Sequence, residues 1–347
     1  MNNLSRVISA DLQEIVSHQD LSGLRGKRVL ITGATGMLAG YLVFLFDYLN
    51  ETAQYGIQMT LLLRSVKKAQ QKFGALLEHP GVSLLVQDVC QPIQCNAAFD
   101  YIIHGASLAD PHSIAEKPFE IIRANTVGTS NLCALARPAK SRILFLSTRE
   151  VYGSVPDAVA LQEDMCGLLD HMDSRSCYPE SKRCAEAMLL ANGAEYDVPW
   201  QIVRIAHAYG PGMPIENDGR VMSDMIHDLV HQMDVVLKSQ GYMLRSFCYL
   251  SDAVAAILRV LLCGEVNAIY NVANEHEEIS VRDLAALVAQ KAGTRVVFQL
   301  QSQAENARGY LQIPRVRLDT SRLEALGWRP LVSLSDGINR TYRFFNE

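Results

Sequence analysis

Six short runs along the chain are apolar from end to end, with no alternation: RVLIT (28–32), MTLLL (59–63), VSLLV (82–86), YIIHGA (101–106), RILFLS (142–147) and WQIVRI (200–205). Runs of this length without a polar face predict strands that are covered by helices on both sides. Between them lie stretches long enough for crossover helices, such as GYLVFLFDYLNE and YPESKRCAEAMLLAN. Such a strand–helix–strand series predicts an α/β protein with a doubly wound parallel sheet. Ahead of it, Leu4, Val7, Ile8, Leu12, Ile15 and Val16 recur at helical spacing, which predicts an amphipathic helix docked on the body. Beyond residue 210 the rhythm stops. YGPGMPIENDGR (209–220) is rich in Gly and Pro and predicts a loop; mixed helices and short strands follow, then LGWRP and a last amphipathic helix.

Composition narrows the partners. The 347 residues are 49% hydrophobic and 20% charged, enough to core one large domain or two closely joined ones. A net charge of −5 provides no basic field for nucleic acid. The eight cysteines are scattered without a C-x-x-C pair and read as reduced thiols, and no metal site is expected. The N-terminal MNNLSRVISADLQEIVSHQD has no basic segment followed by an apolar run, and no apolar stretch is long enough for a membrane span. A soluble, cytoplasmic protein is expected.

The first strand runs into TGATGMLAG, which spaces its small residues as Gly33-x-x-Gly36-x-x-Ala39, with Gly40 next. Glycines here permit a tight turn and close backbone approach, and the following helix N-terminus offers amide donors to a pyrophosphate. Gly33, Thr35, Gly36, Met37 and Leu38 are therefore expected to hold a dinucleotide, which makes the sheet Rossmann-type. The second strand ends LLLRSVKKA, without the acidic residue that would bond the ribose of NAD; Arg64 at that point can instead receive the 2′-phosphate of NADP. Both cofactors stay open. After the third strand come Asp88, whose carboxylate can accept from an adenine amino group, and Val89.

CYPESKRCAEAML carries Tyr178-x-x-x-Lys182, four apart and so on one helix face. An ammonium beside a phenol favours the phenolate, which makes Tyr178 a general base for a substrate hydroxyl. Thr148, in LSTREVYG, lies thirty residues earlier.

With TGATGMLAG, DYIIHGAS, NTVGTSN, STREVYG, YPESK, VRIAHAYGPG, RSFCYLSDAVAAI and LGWRPLVSLSDGI, the chain resembles extended short-chain dehydrogenases/reductases of the nucleotide-sugar epimerase/dehydratase group over residues 26–343. Within that group SKRCAE, GPGMPIENDGRVMSDMI and RSFCYLSD look most like UDP-glucuronate decarboxylases. The resemblance implies that Thr148, Tyr178 and Lys182 oxidise a nucleotide-linked sugar at C-4. It implies that His104, Gly105, Ala106 and Ser107 line the nicotinamide, and that Asn125 positions the catalytic helix or a water. Arg220 and Arg245 would contact the substrate's diphosphate or nucleotide. It also implies a recycled NAD(P), a homodimer, and three parts: a helical extension (1–25), a dinucleotide-binding domain (26–208) and a smaller substrate-binding α/β region (209–347), some of whose segments return to the first domain.

The group's reactions diverge after the 4-ketone. In 4,6-dehydratases the segment resembles Thr-Asp-Glu; here it is Thr148-Arg149-Glu150. Arginine does not release a proton at working pH, so ordinary dehydration is disfavoured. A decarboxylase needs no such acid, because a carboxylate at C-5 becomes that of a β-keto acid, and Glu150 can manage the proton at C-5. Epimerisation at C-4 or C-5 is the competing reading, with 4,6-dehydration behind it. Ile114 and Glu116 stand where the decarboxylases carry tyrosines, and His207 stands where the group has an asparagine; both Arg149 and His207 are expected near substrate. A non-catalytic dinucleotide sensor is a further alternative, opposed by the intact glycine turn, hydroxyl and Tyr/Lys pair.

Overall fold

The computed structural model describes residues 4–156, 158–300 and 317–347. Seven parallel strands form the central sheet: β1 (Arg28–Thr32), β2 (Gln58–Leu63), β3 (Val82–Val86), β4 (Tyr101–His104), β5 (Arg142–Thr148), β6 (Trp200–Ile205) and β7 (Ala268–Val272). Their order is β3-β2-β1-β4-β5-β6-β7. Val29, Leu30, Ile31, Ile102, Ile103, Ile143, Leu144, Phe145, Ile202 and Val203 are fully buried, as their unbroken apolarity requires. β3 is an edge strand, and its Val86 is exposed.

The six expected strands are all present. The fourth stops at His104 and does not continue to residue 106. Gly105 and Ala106 instead curl over the end of β1, their amides donating to the Thr32 carbonyl (3.3 Å) and Thr32 Oγ1 (3.2 Å). β7 is an addition from the stretch where the regular rhythm stops, and it pairs with β6 from Ala268↔Gln201 to Val272↔Ile205.

The crossover helices α2 (Met37–Ala53), α3 (Val66–Phe73), α4 (Pro118–Ala136) and α5 (Cys177–Tyr196) cover the sheet, with α4 and α5 packed together. The strand order reverses between β1 and β4, and a doubly wound sheet places its ligand crevice at that reversal, at the carboxyl ends of the strands. Thr32, His104 and Thr148 all lie at those ends.

A second core gathers α6 (Val221–Val230), α8 (Val281–Ala292) and the parallel pair Val235–Leu237/Val296–Phe298, while α7 (Leu250–Cys263) packs against the main sheet. The amphipathic N-terminal helix is α1 (Arg6–His18), capped by Ser5. Its Asp11 is 1% exposed and accepts from Tyr41 Oη of α2 (2.6 Å), Tyr249 Oη (2.8 Å) and Arg340 Nη1 of the last helix, α9 (Leu334–Phe345; 2.8 Å). Burial raises the Asp11 pKa against these partners. All eight cysteines are unbridged; Cys166, Cys184 and Cys263 are exposed. Among the described residues no helix is long and apolar enough to cross a membrane.

Candidate functional site

The turn after β1 is built for close approach. Gly33 adopts φ +68°, and a Cβ there would lie 2.6 Å from the Gly105 carbonyl oxygen. Gly36 N–H donates to Gly33 O (2.8 Å) and precedes α2, with Met37 and Leu38 in the first turn. Such a glycine cradle at a helix N-terminus fits the pyrophosphate of a dinucleotide. Beneath it sits Lys72 of α3, whose Nζ donates to Gly36 O (2.7 Å) and Thr35 O (3.3 Å). Burial lowers the Lys72 pKa to about 8. Lys72 was not foreseen, although it lies one helical turn beyond Lys68 in a segment already rich in basic residues.

Arg64 Nη1 lies 3.7 Å from Asp88 Oδ2, so the two residues expected at the adenosine end neighbour each other. Asp88 also accepts from Cys90 N (2.8 Å); desolvation is the largest single influence and raises its carboxyl, but the Cys90 hydrogen bonds with Arg64 and Arg123 together hold it below the usual range. Val89 is buried and packs against Gly128.

Thr148 ends β5, and its hydroxyl lies near enough to Tyr178, in the first turn of α5, to oppose the rise of the phenol's pKa. Lys182, one turn on, is buried and donates from Nζ to Leu146 O (2.8 Å), 4.4 Å from the Phe145 ring centroid and 6.0 Å from that of Tyr178. The sequence leads to the expectation that Lys182 favours the phenolate. In this arrangement burial dominates instead: it pushes the Tyr178 pKa well up, with Glu150 adding to the rise and Thr148, Arg175 and Arg220 opposing it. Lys182 is itself lowered to about 7 by burial, against the attraction of Glu186. Glu186 is held by Arg204 (Nη2–Oε2 2.6 Å, Nε–Oε1 3.1 Å) and Ser147 Oγ (2.5 Å).

His104 is fully buried, its Nδ1 2.9 Å from Thr32 Oγ1 and its Nε2 3.1 Å from Thr129 Oγ1. Desolvation and the nearby Lys182 lower its pKa to about 3, so it is a neutral imidazole. Asn125 donates to Ser181 Oγ (2.9 Å), and Ser181 donates to Tyr178 O (3.1 Å), which ties α4 to the catalytic turn of α5. Ser107 donates to Leu108 O (3.3 Å), in the loop that follows Ala106.

Glu150 meets a residue that was missed. Arg175 Nη2 donates to its Oε1 (3.0 Å) and lies equally close to Oε2. Arg175 Nε and Nη1 are buried without a hydrogen-bond partner. The signal was its place three residues before Tyr178, in the turn Ser174–Ser176 that leads into α5. Arg149 opens the turn Arg149–Tyr152 and is half-buried. Arg220 makes a two-point pair with buried Asp218 (Nε–Oδ2 2.5 Å, Nη2–Oδ1 2.8 Å) and lies within electrostatic reach of Tyr178.

His207 has φ +45°, its Nδ1 3.1 Å from Ser246 O and its ring 5.8 Å from that of Phe247. Arg245 donates to Leu244 O (2.8 Å) on the strand Leu244–Ser246. Ile114 is buried with Ile121, Cys177 and Tyr178. Glu116 pairs with His112 (3.2 Å) on an exposed helix face.

The model of the NAD dependent epimerase/dehydratase family matches residues 29–273, which include the glycine turn, Thr148, Tyr178 and Lys182. The chain belongs to this family. Among its relatives is UDP-glucuronic acid decarboxylase 1 of Xenopus tropicalis, 30% identical over 92% of this chain and 72% of the relative. UDP-glucuronic acid decarboxylase 6 of Arabidopsis thaliana is 32% identical over 90% of this chain and 86% of its own length. A similar fold occurs in UDP-glucuronic acid 4-epimerase from Bacillus cereus, solved with UDP-glucuronic acid and NAD, with a TM-score of 0.75 and 19% identity over 92% of this chain and 99% of that one. The family's NAD requirement suits the Gly33–Gly36 cradle and the Lys72 ammonium below it.

Proposed function

We propose that this protein decarboxylates a nucleotide-linked uronic acid through a transient 4-keto sugar. The observation that carries the reading is the Glu150–Arg175 pair beside Thr148 and Tyr178, with two Arg175 N–H groups left for an anion. Buried guanidinium donors without partners are costly, and an anion reaching either nitrogen would relieve that cost with a charge-assisted hydrogen bond. The decarboxylase relatives support the same choice.

The Gly33–Gly36 turn would hold NAD, which would supply the hydride acceptor for C-4 and the hydride for its return. Tyr178 takes the C-4 hydroxyl proton, with Thr148, Arg175 and Arg220 opposing the rise that burial gives its phenol and the Lys182 ammonium 6.0 Å from its ring centroid. The ketone makes the C-5 carboxylate a β-keto acid; its carbon–carbon bond breaks, carbon dioxide leaves, and the electron pair becomes an enolate. Glu150, or a water it holds, returns a proton to C-5. Arg220 and Arg245 serve the diphosphate, and Arg149 and His207 flank the sugar. Asp88 serves the adenosine end; Arg64 beside it favours NADP as the alternative cofactor, which comparative binding of the two dinucleotides decides. The exposed Phe119, Ile122 and Leu190 on the paired helices α4 and α5 offer a face for a homodimer.

The test is incubation with UDP-glucuronate and UDP-glucose, read by mass spectrometry. Loss of about 44 mass units from the uronate supports the proposal. An isomer of unchanged mass makes the protein an epimerase, and loss of about 18 a dehydratase. No conversion of any nucleotide sugar, with the dinucleotide still bound, leaves the sensor reading. Tyr178→Phe should lower any turnover by about 10²–10⁴-fold.

A further inference from the structure

Outside this site, one loop and one helix bring two imidazoles and a carboxylate together. His227 lies in the last turn of α6 and His231 immediately past its end, four residues on. Their rings are 4.3 Å apart at the centroids. Glu216, from the loop between residues 209 and 220, places Oε2 3.4 Å from His227 Nε2 and Oε1 3.8 Å from His231 Nε2.

The other ring nitrogens are already committed. His231 Nδ1 lies 2.9 Å from His227 O, and a carbonyl can only accept, so Nδ1 carries the hydrogen. His227 lies between two carboxylates, with Asp228 Oδ1 3.4 Å from Nδ1 and Glu216 Oε2 3.4 Å from Nε2. The neutral His231 ring therefore turns its Nε2 lone pair toward Glu216, and a His227 ring with its hydrogen on Nδ1 toward Asp228 sets a second lone pair beside it. Two imidazole nitrogens and a carboxylate then converge, an arrangement that a cation resolves. A carboxylate or carbonyl on the far ring nitrogen is also how metal-bound histidines are oriented.

We propose that Glu216, His227 and His231 form a site for a divalent transition-metal cation of the zinc type, which fastens the 209–220 loop to α6. The three ligand atoms lie within 4.8 Å of one another. Tetrahedral zinc, with bonds of about 2.0–2.1 Å, needs its ligands about 3.3 Å apart, so small side-chain rotations close the set. Two imidazoles and one carboxylate leave the fourth position to water. Asp228, 3.4 Å from His227 Nδ1, adds negative charge beside the cluster. The other mixed cluster, Asp47, Glu51 and His79, has one imidazole, already bonded to Asp47 at 2.7 Å.

The loop fastened in this way carries Asp218 and Arg220. Any effect on substrate thus rests on the proposed role of Arg220, whereas metal binding does not. The test uses the full chain stripped with chelator. Calorimetric titration with zinc chloride should show one saturable equivalent, and Glu216→Gln and His231→Ala should each weaken it at least about tenfold while leaving the melting temperature of the metal-free protein unchanged. Hydrogen exchange of the 211–220 peptide should slow with zinc in the wild type and not in His231→Ala. No saturable binding, or equal binding by the variants, overturns the site. Binding without slowed exchange overturns the fastening of the loop.

Discussion

Arg175 Nη2 stands 3.0 Å from both carboxylate oxygens of Glu150, while its Nε and Nη1 are buried without a partner. The guanidinium thus holds one carboxylate and keeps donors for a second. Arg175→Gln should lower kcat/KM for a nucleotide-linked uronate about 10- to 100-fold, the worth of one or two hydrogen bonds to a charged group. Binding of the matching neutral sugar nucleotide should change far less. Equal losses for both ligands would mean that Arg175 only shapes the turn before α5.

Lys72 places an ammonium beneath the Gly33–Gly36 turn, bonded to two of its carbonyls. Lys72→Met should weaken dinucleotide binding about tenfold or more by removing that charge and loosening the turn. Equilibrium titration by fluorescence is the measurement; a dissociation constant within twofold of the wild type would leave Lys72 with packing alone.

His104 gives the fold a pH dependence of defined sign. Its pKa is lowered from 6.5 to about 3, so between those values the unfolded chain binds a proton that the folded chain does not. This contribution is complete above pH 6.5 and is lost as pH falls toward 3, by about 2 kcal/mol at pH 5. Asp252, raised to about 6 by burial, works the opposite way over its own window from 3.8 to 6. The contrast between wild type and His104→Gln isolates the histidine. Denaturant melts at pH 7 and pH 5 should show a smaller loss in the variant; identical losses would contradict the assignment.

Lys182, lowered to about 7, loses its proton more readily than an ordinary lysine. Its ammonium is present below pH 7 and fades above it. Glu186 opposes that loss, so Glu186→Gln should lower the Lys182 pKa further and move the alkaline limb of the kcat–pH profile to lower pH. A profile that falls in height with its limbs in place would show that Glu186 acts only through Arg204 and Ser147.

The strands of the sheet were legible because each is an unbroken apolar run. The exception is β7, whose AIYNV contains a buried asparagine, Asn271, that donates to Leu161 O and Asp319 O and accepts from Tyr152 Oη. A polar residue satisfied by distant partners breaks the pattern without breaking the strand. At the candidate site, Gly33 and the Tyr178–Lys182 pair were expected from spacing along single elements, and Thr148 from the family resemblance. Arg175 and Lys72 were not, because their meaning lies in what they face across elements: a glutamate 25 residues away and carbonyls 36 and 37 residues away. The His227–His231 spacing was visible in the sequence, but the convergence of Glu216 on it required the fold.

From Thr32 through His104, Thr129, Asn125 and Ser181 to the Tyr178 carbonyl, each polar group answers the next. A chain of this kind restricts how the protein can diverge. The links to the Asn125 and Tyr178 carbonyls survive any substitution there. Changing one side chain of Thr32–His104, His104–Thr129 or Asn125–Ser181, however, strands the other in a dry interior. Descendants that exchange these residues should therefore do so in those pairs, and a library randomised at one position should yield fewer active clones than one randomised at both positions of a pair.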